Sequence, residues 1–176
     1  MATRKWFIGL AITTILVIGT VLLSSVSGAR AETLNSKSFI HMTKAQVIPI
    51  ADVEGHVMIM SEREGAIVFE NEEWAWHKGV YIHDAVKGLG PLDGYASYTF
   101  LDGSTITTHT KGKTEATAQG VSPLVKWAGE IVSGTGRFQG IKGTVTISTK
   151  LLPAEKGEPG PKAFSETTLV YTLPGK

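Results

Sequence analysis

Residues 134–143 read Gly-Thr-Gly-Arg-Phe-Gln-Gly-Ile-Lys-Gly, and this stretch carries the strongest fold signal in the chain. Gly134 and Gly136 allow a left-handed backbone in a tight turn, whereas Gly140 and Gly143 allow a bulge or a close approach of two strands. The stretch therefore predicts a structural β-hairpin. A phosphate-binding loop is disfavoured because the spacing is G-x-G-x-x-x-G and no helical pattern follows.

The chain on both sides of this hairpin alternates short apolar runs with glycines, and 20 of its 176 residues are glycine. Such runs predict strands rather than helices. The expected strands are residues 38–50, 56–64, 66–70, 74–84, 95–100, 105–111, 126–133, 140–151 and 163–173. Residues 153–162 are rich in proline and charge and predict an exposed loop. Residues 111–122 predict a second loop with one helical turn.

These strands must form either a sandwich of two sheets or a closed barrel, because no helix is predicted to cover a sheet. Several strands are long, and long open edges invite aggregation, which favours closure. A second hairpin is expected where Asp102 and Gly103 separate two alternating runs, since Asp-Gly suits a tight turn. We therefore expect an all-β protein with a closed antiparallel barrel formed by one domain, residues 32–176.

The N-terminus has the three-part pattern of a secretory signal peptide. Arg4 and Lys5 precede an apolar run over residues 7–26, and Ala29-Arg30-Ala31 supplies a small-x-small cleavage site. We expect cleavage before Glu32 and an extracytoplasmic protein, periplasmic or secreted. The alternative is an uncleaved anchor, because the run over residues 7–26 is long enough to cross a bilayer. In that case, the membrane is contacted only through this segment.

Composition excludes several classes of protein. The formal net charge is only +1, so a nucleic-acid binder that works through overall charge is excluded. The chain has no cysteine, which excludes disulfides, thiolate nucleophiles and cysteine-ligated metals. A metal site of two histidines on one strand, His77 and His83, is disfavoured because six residues of extended strand span about 20 Å. No metal and no cofactor are therefore predicted.

The segment Trp74 to Asp84 is the richest in side chains that could perform chemistry. Period-two alternation places His77 and Tyr81 on one face of the strand, and Trp74 and Trp76 on the other. If the first face lines a lumen, His77 and Tyr81 are candidate catalytic residues that orient or protonate a ligand. The alternative places the tryptophans inside and the histidines in solvent or a subunit contact. Large apolar faces usually point inward, which favours this alternative.

Further candidates lie on other strands. Glu130 stands between Ala128 and Val132 on one alternating face, where burial would raise the pKa of its carboxyl into the general acid–base range. A solvated or paired carboxylate is the commoner situation. The expected wall of a ligand-binding lumen is aromatic. Its candidate residues are Trp74, Trp76, Tyr98, Phe100 and Trp127.

The hairpin at residues 134–143 resembles the G-T-G-x-F-x-G-x-x-G hairpin of the allene oxide cyclase and dirigent barrel superfamily. Residues 98–104 and the spacing between the two hairpins are similar to bacterial members, so the resemblance covers about residues 94–148. It implies an eight-stranded antiparallel barrel of the lipocalin-like type, often a homotrimer, with an apolar lumen that binds or cyclises a small hydrophobic molecule. The family's catalytic residues do not match this sequence position by position, so cyclase activity is not carried over.

Three functions follow from these observations. The first is an exported barrel that binds a small hydrophobic molecule in its lumen. The second is an isomerase or cyclase that uses the lumen to hold a reactive substrate in a near-attack geometry, with a His, Tyr or Glu as acid or base. The third is a structural, oligomeric barrel without a ligand.

Overall fold

The computed structural model describes residues 30–118, 120–121 and 123–175. The predicted leader over residues 1–31 falls almost wholly outside the described residues. The strands are β1 Glu32–Pro49, β2 His56–Phe69, β3 Trp74–Val86, β4 Gly90–Phe100, β5 Thr105–Thr114, β6 Ala116–Thr117, β7 Gly120–Val121, β8 Leu124–Gly134, β9 Lys142–Leu152 and β10 Lys162–Thr172. In the described part of the chain, helical structure is limited to a 3-10 helix, Gly136–Phe138. No helix in those residues is long and apolar enough to cross a membrane.

The eight long strands form one closed antiparallel barrel in the order β1-β10-β9-β8-β5-β4-β3-β2. Strands β1 and β10 close it, with a continuous register from Glu32 opposite Tyr171 to Ile40 opposite Ala163. Closure pairs the backbone groups that edge strands would leave open. The predicted all-β, eight-stranded closed barrel is confirmed.

Several strands run longer than predicted, and the main difference is at Gly65. The sequence predicts a break there between two strands, but β2 passes through it without interruption. A Cβ at position 65 would meet the backbone of Phe39 and Ile40 on β1. Gly65 therefore marks a close approach of neighbouring strands, not a turn.

The two predicted hairpins and the proline-rich loop are present. Strand β4 ends at Phe100 and β5 begins at Thr105, with Gly103 in the left-handed conformation at φ 82°. The chain then crosses residues 153–161 without a strand before β10 begins. The second loop differs from the prediction. Strand β5 continues to Thr114, and the helical turn is replaced by the small β6–β7 hairpin.

One end of the barrel, which we call the hairpin end, carries the β2–β3, β4–β5 and β8–β9 connections. The 3-10 helix in the last of these connections turns Phe138 into the barrel, where its ring lies 4.8 Å from that of Phe100. Phe100 in turn stacks on Phe69 at 5.1 Å, and all three side chains are buried. The glycine-rich hairpin therefore does more than turn the chain, because it supplies the plug that closes this end.

Arg137 covers that plug from outside. Its guanidinium lies 4.9 Å from the ring centroid of Phe100 and 4.8 Å from that of Phe138. The same group pairs with Glu73 at 2.5 Å and with Asp102 at 3.5 Å. A single side chain thus ties the β2–β3, β4–β5 and β8–β9 connections together.

We expect Arg137→Ala to lower the free energy of unfolding by about 1–3 kcal/mol, because it removes two cation–π contacts and two partly exposed ion pairs. Arg137 lowers the pKa of Glu73 below its ordinary value of 4.5. A carboxyl with a lowered folded-state pKa stabilises the fold above its unfolded pKa and loses that effect as the pH falls. The difference between wild type and variant should therefore narrow below about pH 4.5.

Denaturant unfolding at pH 7 and at pH 3 measures this difference. Arg137→Lys is the matched control, since it keeps the charge but loses the planar group that stacks on the two rings. A difference that stays constant between pH 7 and pH 3 would show that the ion pairs contribute nothing and that the stacking is the whole effect.

Candidate functional site

The inner face of β3 carries the histidine and the tyrosine, not the tryptophans. His77 is 3% exposed and Tyr81 is 8% exposed, both inside the barrel, whereas Trp74 and Trp76 are 51% and 46% exposed on the outer wall. The alternation predicted from the sequence is correct, but the preference for a buried tryptophan face is wrong. The interior of a narrow barrel has less room than its exterior, so bulk alone does not select the inward face.

Three glycines make room for the large rings in the lumen. A Cβ at Gly79 or Gly94 would collide with the ring of Tyr81, and a Cβ at Gly112 would lie 2.8 Å from the indole of Trp127. Tyr81 and Trp127 therefore lie flat against bare backbone of β3, β4 and β5, with their rings in edge contact at 5.6 Å. Large rings that cover strand glycines in this way pin the register of a sheet. These glycines fix the position of the aromatic wall.

His77 and Tyr81 form a buried hydrogen-bonded pair. The Tyr81 hydroxyl lies 3.1 Å from His77 Nε2, and Tyr98 flanks the imidazole with its ring centroid at 5.6 Å. Burial, together with the positive charge of Arg63, lowers the pKa of His77 to about 4. Burial also raises the pKa of the Tyr81 phenol. Near neutral pH the pair is therefore an uncharged imidazole and a protonated phenol.

The tautomer of His77 follows from this pairing. A phenol hydroxyl is a better donor than an imidazole N–H, and an imidazole nitrogen is the better acceptor, so Tyr81 donates to Nε2. The imidazole proton is then on Nδ1. That atom is buried and has no hydrogen-bond partner among the described residues. His77 thus presents a donor without an acceptor.

Arg63 enters the same space from β2. Its guanidinium carbon lies 5.3 Å from the centroid of the Tyr81 ring. Its Nε is buried and has no hydrogen-bond partner, and no carboxylate in the described part of the chain lies within ion-pair distance of it. Burial lowers the pKa of the guanidinium, but an arginine remains charged in a protein. Arg63 thus brings a positive charge without a counter-ion to the lumen, with its Nε buried and the residue as a whole partly buried.

These side chains surround a cavity of about 30 Å³ that all eight barrel strands line. The aromatic wall consists of Tyr81, Tyr98 and Trp127, and the opposite wall, from β1 and β10, carries the hydroxyls of Ser38, Ser165 and Thr167. A volume of this size holds one or two waters or a group of similar size. We call this space and its lining the chamber.

The chamber lies between a sealed end and a more open one. Below it, the hairpin end is filled by the buried rings of Phe69, Phe100 and Phe138. Towards the opposite end, which we call the loop end, the inward side chains Val57, Ile59 and His83 are only partly buried. The loop end is therefore the more exposed end of the lumen.

Not all residues predicted for the site meet in the chamber. His77, Tyr81, Tyr98 and Trp127 line it. Phe100 is buried in the plug of the hairpin end rather than in the chamber wall. Trp74, Trp76 and Glu130 lie on the outer wall, because each occupies one of the alternate strand positions whose side chains point outward. Glu130 is therefore the solvated carboxylate that the sequence favoured, and the burial that would have made it a candidate general acid or base does not occur.

Arg63 is the residue that sequence reasoning missed. It lies between Glu62 and Glu64, a pattern typical of a solvated charged loop. Alternation along β2 places Arg63 on the same face as the apolar Ile67 and Phe69, which would have indicated that it points inward. The strand break predicted at Gly65 separated Arg63 from those two residues and concealed this. The described residues contain no group of three or more His, Cys, Asp or Glu side chains placed to hold a metal ion.

We expect the free energy of unfolding to decrease as the pH is lowered, because His77 is harder to protonate in the folded protein than in the unfolded chain. Its folded-state pKa of about 4 lies below the ordinary 6.5, so the unfolded chain binds the proton first as the pH drops. The loss begins near pH 6.5, and by pH 4 it amounts to about 3 kcal/mol.

Urea unfolding of wild type and His77→Gln between pH 7 and pH 4 isolates this effect, because glutamine does not titrate and still accepts from Tyr81. His56 acts in the opposite sense, since hydrogen bonds to Asp84 and Asp52 raise its pKa. Its contribution is common to both proteins and cancels in the difference. If the free energies of unfolding of the two proteins change equally between pH 7 and pH 4, burial does not lower the pKa of His77.

No protein-family model matches the sequence. No curated protein matches it either. Among solved structures, the chain is similar to the pterocarpan synthase dirigent protein GePTS1, with 12% identity and a TM-score of 0.49 over 93% of this chain and 98% of that one. A second pterocarpan synthase dirigent protein, PsPTS1, gives 13% identity and a TM-score of 0.48 over 83% and 97%. The strand order itself shows the closed, eight-stranded antiparallel barrel that was expected.

Proposed function

We propose that this protein is an exported barrel that binds a small, largely apolar molecule in its lumen. The observation that carries the proposal is the pair of unpartnered donors, Arg63 Nε and His77 Nδ1, buried in one aromatic chamber. An orphaned donor costs about 1–3 kcal/mol, and more when it is charged. A barrel built for stability alone would fill this space with apolar side chains, as the hairpin end does.

The size of the chamber limits the ligand. Sites for drug-sized molecules enclose about 300–1,000 Å³, whereas this cavity measures about 30 Å³. A ligand of small cross-section fits this geometry, with one end in the chamber and the rest towards the loop end. A linear chain meets that condition better than a fused ring system.

Trp127 offers a direct test, because its indole is buried in the chamber wall while Trp74 and Trp76 are on the outside. We expect a variant with Trp6, Trp74 and Trp76 changed to Phe to show a saturable change in emission when titrated with 1-octanol or octanoate. The matched control is Trp127→Phe with the other three tryptophans retained, whose emission should stay constant.

Native mass spectrometry of the protein, purified as its host processes it, gives an independent readout. A retained small molecule supports the proposal. No retained mass, together with no response of Trp127, contradicts it and leaves the ligand-free structural barrel as the remaining function.

The pair formed by His77 and Tyr81 favours a second candidate, an isomerase or cyclase acting on a substrate in the same chamber. In an isomerisation, the protonated phenol, 3.1 Å from His77 Nε2, would give its proton to a carbonyl or epoxide oxygen of the substrate, and the neutral imidazole would accept at Nε2 the proton that a substrate carbon releases. Tyr81→Phe should then abolish conversion of a bound substrate while changing its affinity little. Glu130 has no part in this candidate, since it is exposed on the outer wall.

Export and assembly belong to the same proposal. Strand β1 begins at Glu32, the residue at which cleavage is expected, so removal of the leader would leave the barrel whole. The homotrimer implied by the resemblance would bury exposed apolar side chains of the outer wall, such as Phe39, Trp76 and Phe164. The mass spectrum described above reports the processed N-terminus and the number of subunits.

A further inference from the structure

Two methionines stand side by side on the outer wall of β2, near the loop end. The side chains of β2 that enter the barrel occupy every second position from Val57 to Phe69, so Met58 and Met60 point outward. Met60 is 41% exposed and Met58 is partly buried, whereas Met42 on β1 is buried. Methionine is among the side chains that proteins bury most often. Packing of the core therefore does not account for this outward pair.

His56 precedes the two methionines on the same face of β2. Alternation along the sequence His56-Val-Met-Ile-Met60 places an imidazole and two thioethers in steps of about 7 Å. The imidazole leans towards β3, because its Nε2 lies 2.6 Å from Oδ1 of Asp84, the residue that pairs with Met58. A methionine side chain is unbranched and has three rotatable bonds. The sulfurs of Met58 and Met60 can therefore converge on His56 Nε2.

The imidazole of His56 is held between two carboxylates. Its Nδ1 lies 2.5 Å from Asp52 Oδ1, and its Nε2 lies 2.6 Å from Asp84 Oδ1. An ionised carboxylate can only accept, so both ring nitrogens donate and the ring carries a positive charge. The cluster therefore already holds one unit of positive charge between two negative ones. A monovalent cation that replaces the proton on Nε2 leaves this balance unchanged.

The strand partners of the two methionines place no positive charge beside them. Those of Met58 are Ile48 on β1 and Asp84 on β3, and those of Met60 are Gln46 on β1 and Ile82 on β3. Asp84 is the charged residue among these four. A cation at the two sulfurs is therefore attracted by its neighbours.

Asp52 is placed as the outer partner of a metal-bound histidine. A ligating imidazole generally donates its other ring N–H to a carboxylate, which fixes the orientation of the ring. The same Asp52 oxygen also accepts from the backbone N–H of Val53 at 2.7 Å, so the carboxylate is itself held in place. Histidine and carboxylate side chains alone form no group of three for a metal in the described part of the chain. A metal site at His56 therefore depends on the sulfurs.

We propose that His56 Nε2 and the thioether sulfurs of Met58 and Met60 form a binding site for Cu(I) on the outer wall of the barrel. Thioether and imidazole ligands suit this soft ion, whereas carboxylate and carbonyl oxygens suit Mg²⁺ and Ca²⁺. On binding, the Nε2 proton passes to solvent, while Nδ1 keeps its hydrogen bond to Asp52. Asp84 then faces the ion and balances its charge. All three ligands point away from the lumen, so the site is independent of the proposed function.

The sequence prediction of no metal rested on the spacing of the histidines and on the absence of cysteine. It did not weigh thioether sulfur as a ligand. Strand alternation alone puts His56, Met58 and Met60 on one face, but only the structure shows that this face is the outer one and that two carboxylates hold the histidine.

Methyl NMR of the protein, purified as its host processes it and labelled with ¹³C at the methionine methyl groups, tests the site directly. Ag(I) is the probe, because it is a soft monovalent ion like Cu(I) and does not undergo redox chemistry under these conditions. One equivalent of Ag(I) should shift the methyl signals of Met58 and Met60 and the ring signals of His56. The methyl signal of Met42, which is buried on β1, should stay in place and serves as the internal control.

Competition with a Cu(I) chelator, without oxygen, measures the affinity. Met58→Leu, Met60→Leu and His56→Gln should each weaken Cu(I) binding by about 10-fold or more. Leucine conserves the volume of methionine, so the first two variants are expected to fold. Met42→Leu is the matched control, since it makes the same change outside the site and should bind Cu(I) as wild type does.

Three outcomes would overturn the proposal. The first is that wild type binds no Cu(I), and the second is that the double variant Met58→Leu, Met60→Leu binds it with wild-type affinity. The third is tighter binding of Zn²⁺ than of Cu(I), which would assign the site to the histidine and the carboxylates. None of these results bears on lumen binding, because the emission of Trp127 reports that separately.

Discussion

Closure of the β1–β10 ladder is the constraint on which the rest of this structure depends. It removes every edge from the eight long strands, and it also fixes how much space the inward side chains share. In so narrow a lumen, a large aromatic ring fits only where a neighbouring residue has no side chain. Gly79, Gly94 and Gly112 provide that space for Tyr81 and Trp127. The aromatic chamber is therefore a consequence of closure.

The interior divides into a part that stabilises the fold and a part that does not. At the hairpin end, Phe69, Phe100 and Phe138 pack against one another, and Arg137 covers them from outside. In the chamber, by contrast, Arg63 and His77 have buried nitrogen atoms without partners. Burying such groups opposes folding, so the packed end has to offset the cost of the polar one. This separation is the one that the proposed binding in the lumen requires.

The sequence was a good guide to local structure and a poor guide to which face of a strand is inside. Alternation along Trp74 to Asp84 correctly separated His77 and Tyr81 from the tryptophans. The rule that bulky apolar faces point inward then chose the wrong side, because the outer wall of a small barrel offers more room than its lumen. Glu130 lies outside because its two apolar neighbours on that face, Ala128 and Val132, both point outward, so the alternative of a buried carboxyl does not apply.

The sequence by itself determined the all-β class, the two hairpins and the glycine-rich turn between β8 and β9. These features depend on backbone conformations and periodicities that neighbouring residues impose on one another. Only the tertiary structure decided that Arg63, His77, Tyr81 and Trp127 share one chamber. They come from three different strands, β2, β3 and β8, and β8 meets the others only across the lumen. Which side chains face that lumen, and which of them lack a partner there, is set by barrel closure and register, and neither is encoded in any single stretch of the chain.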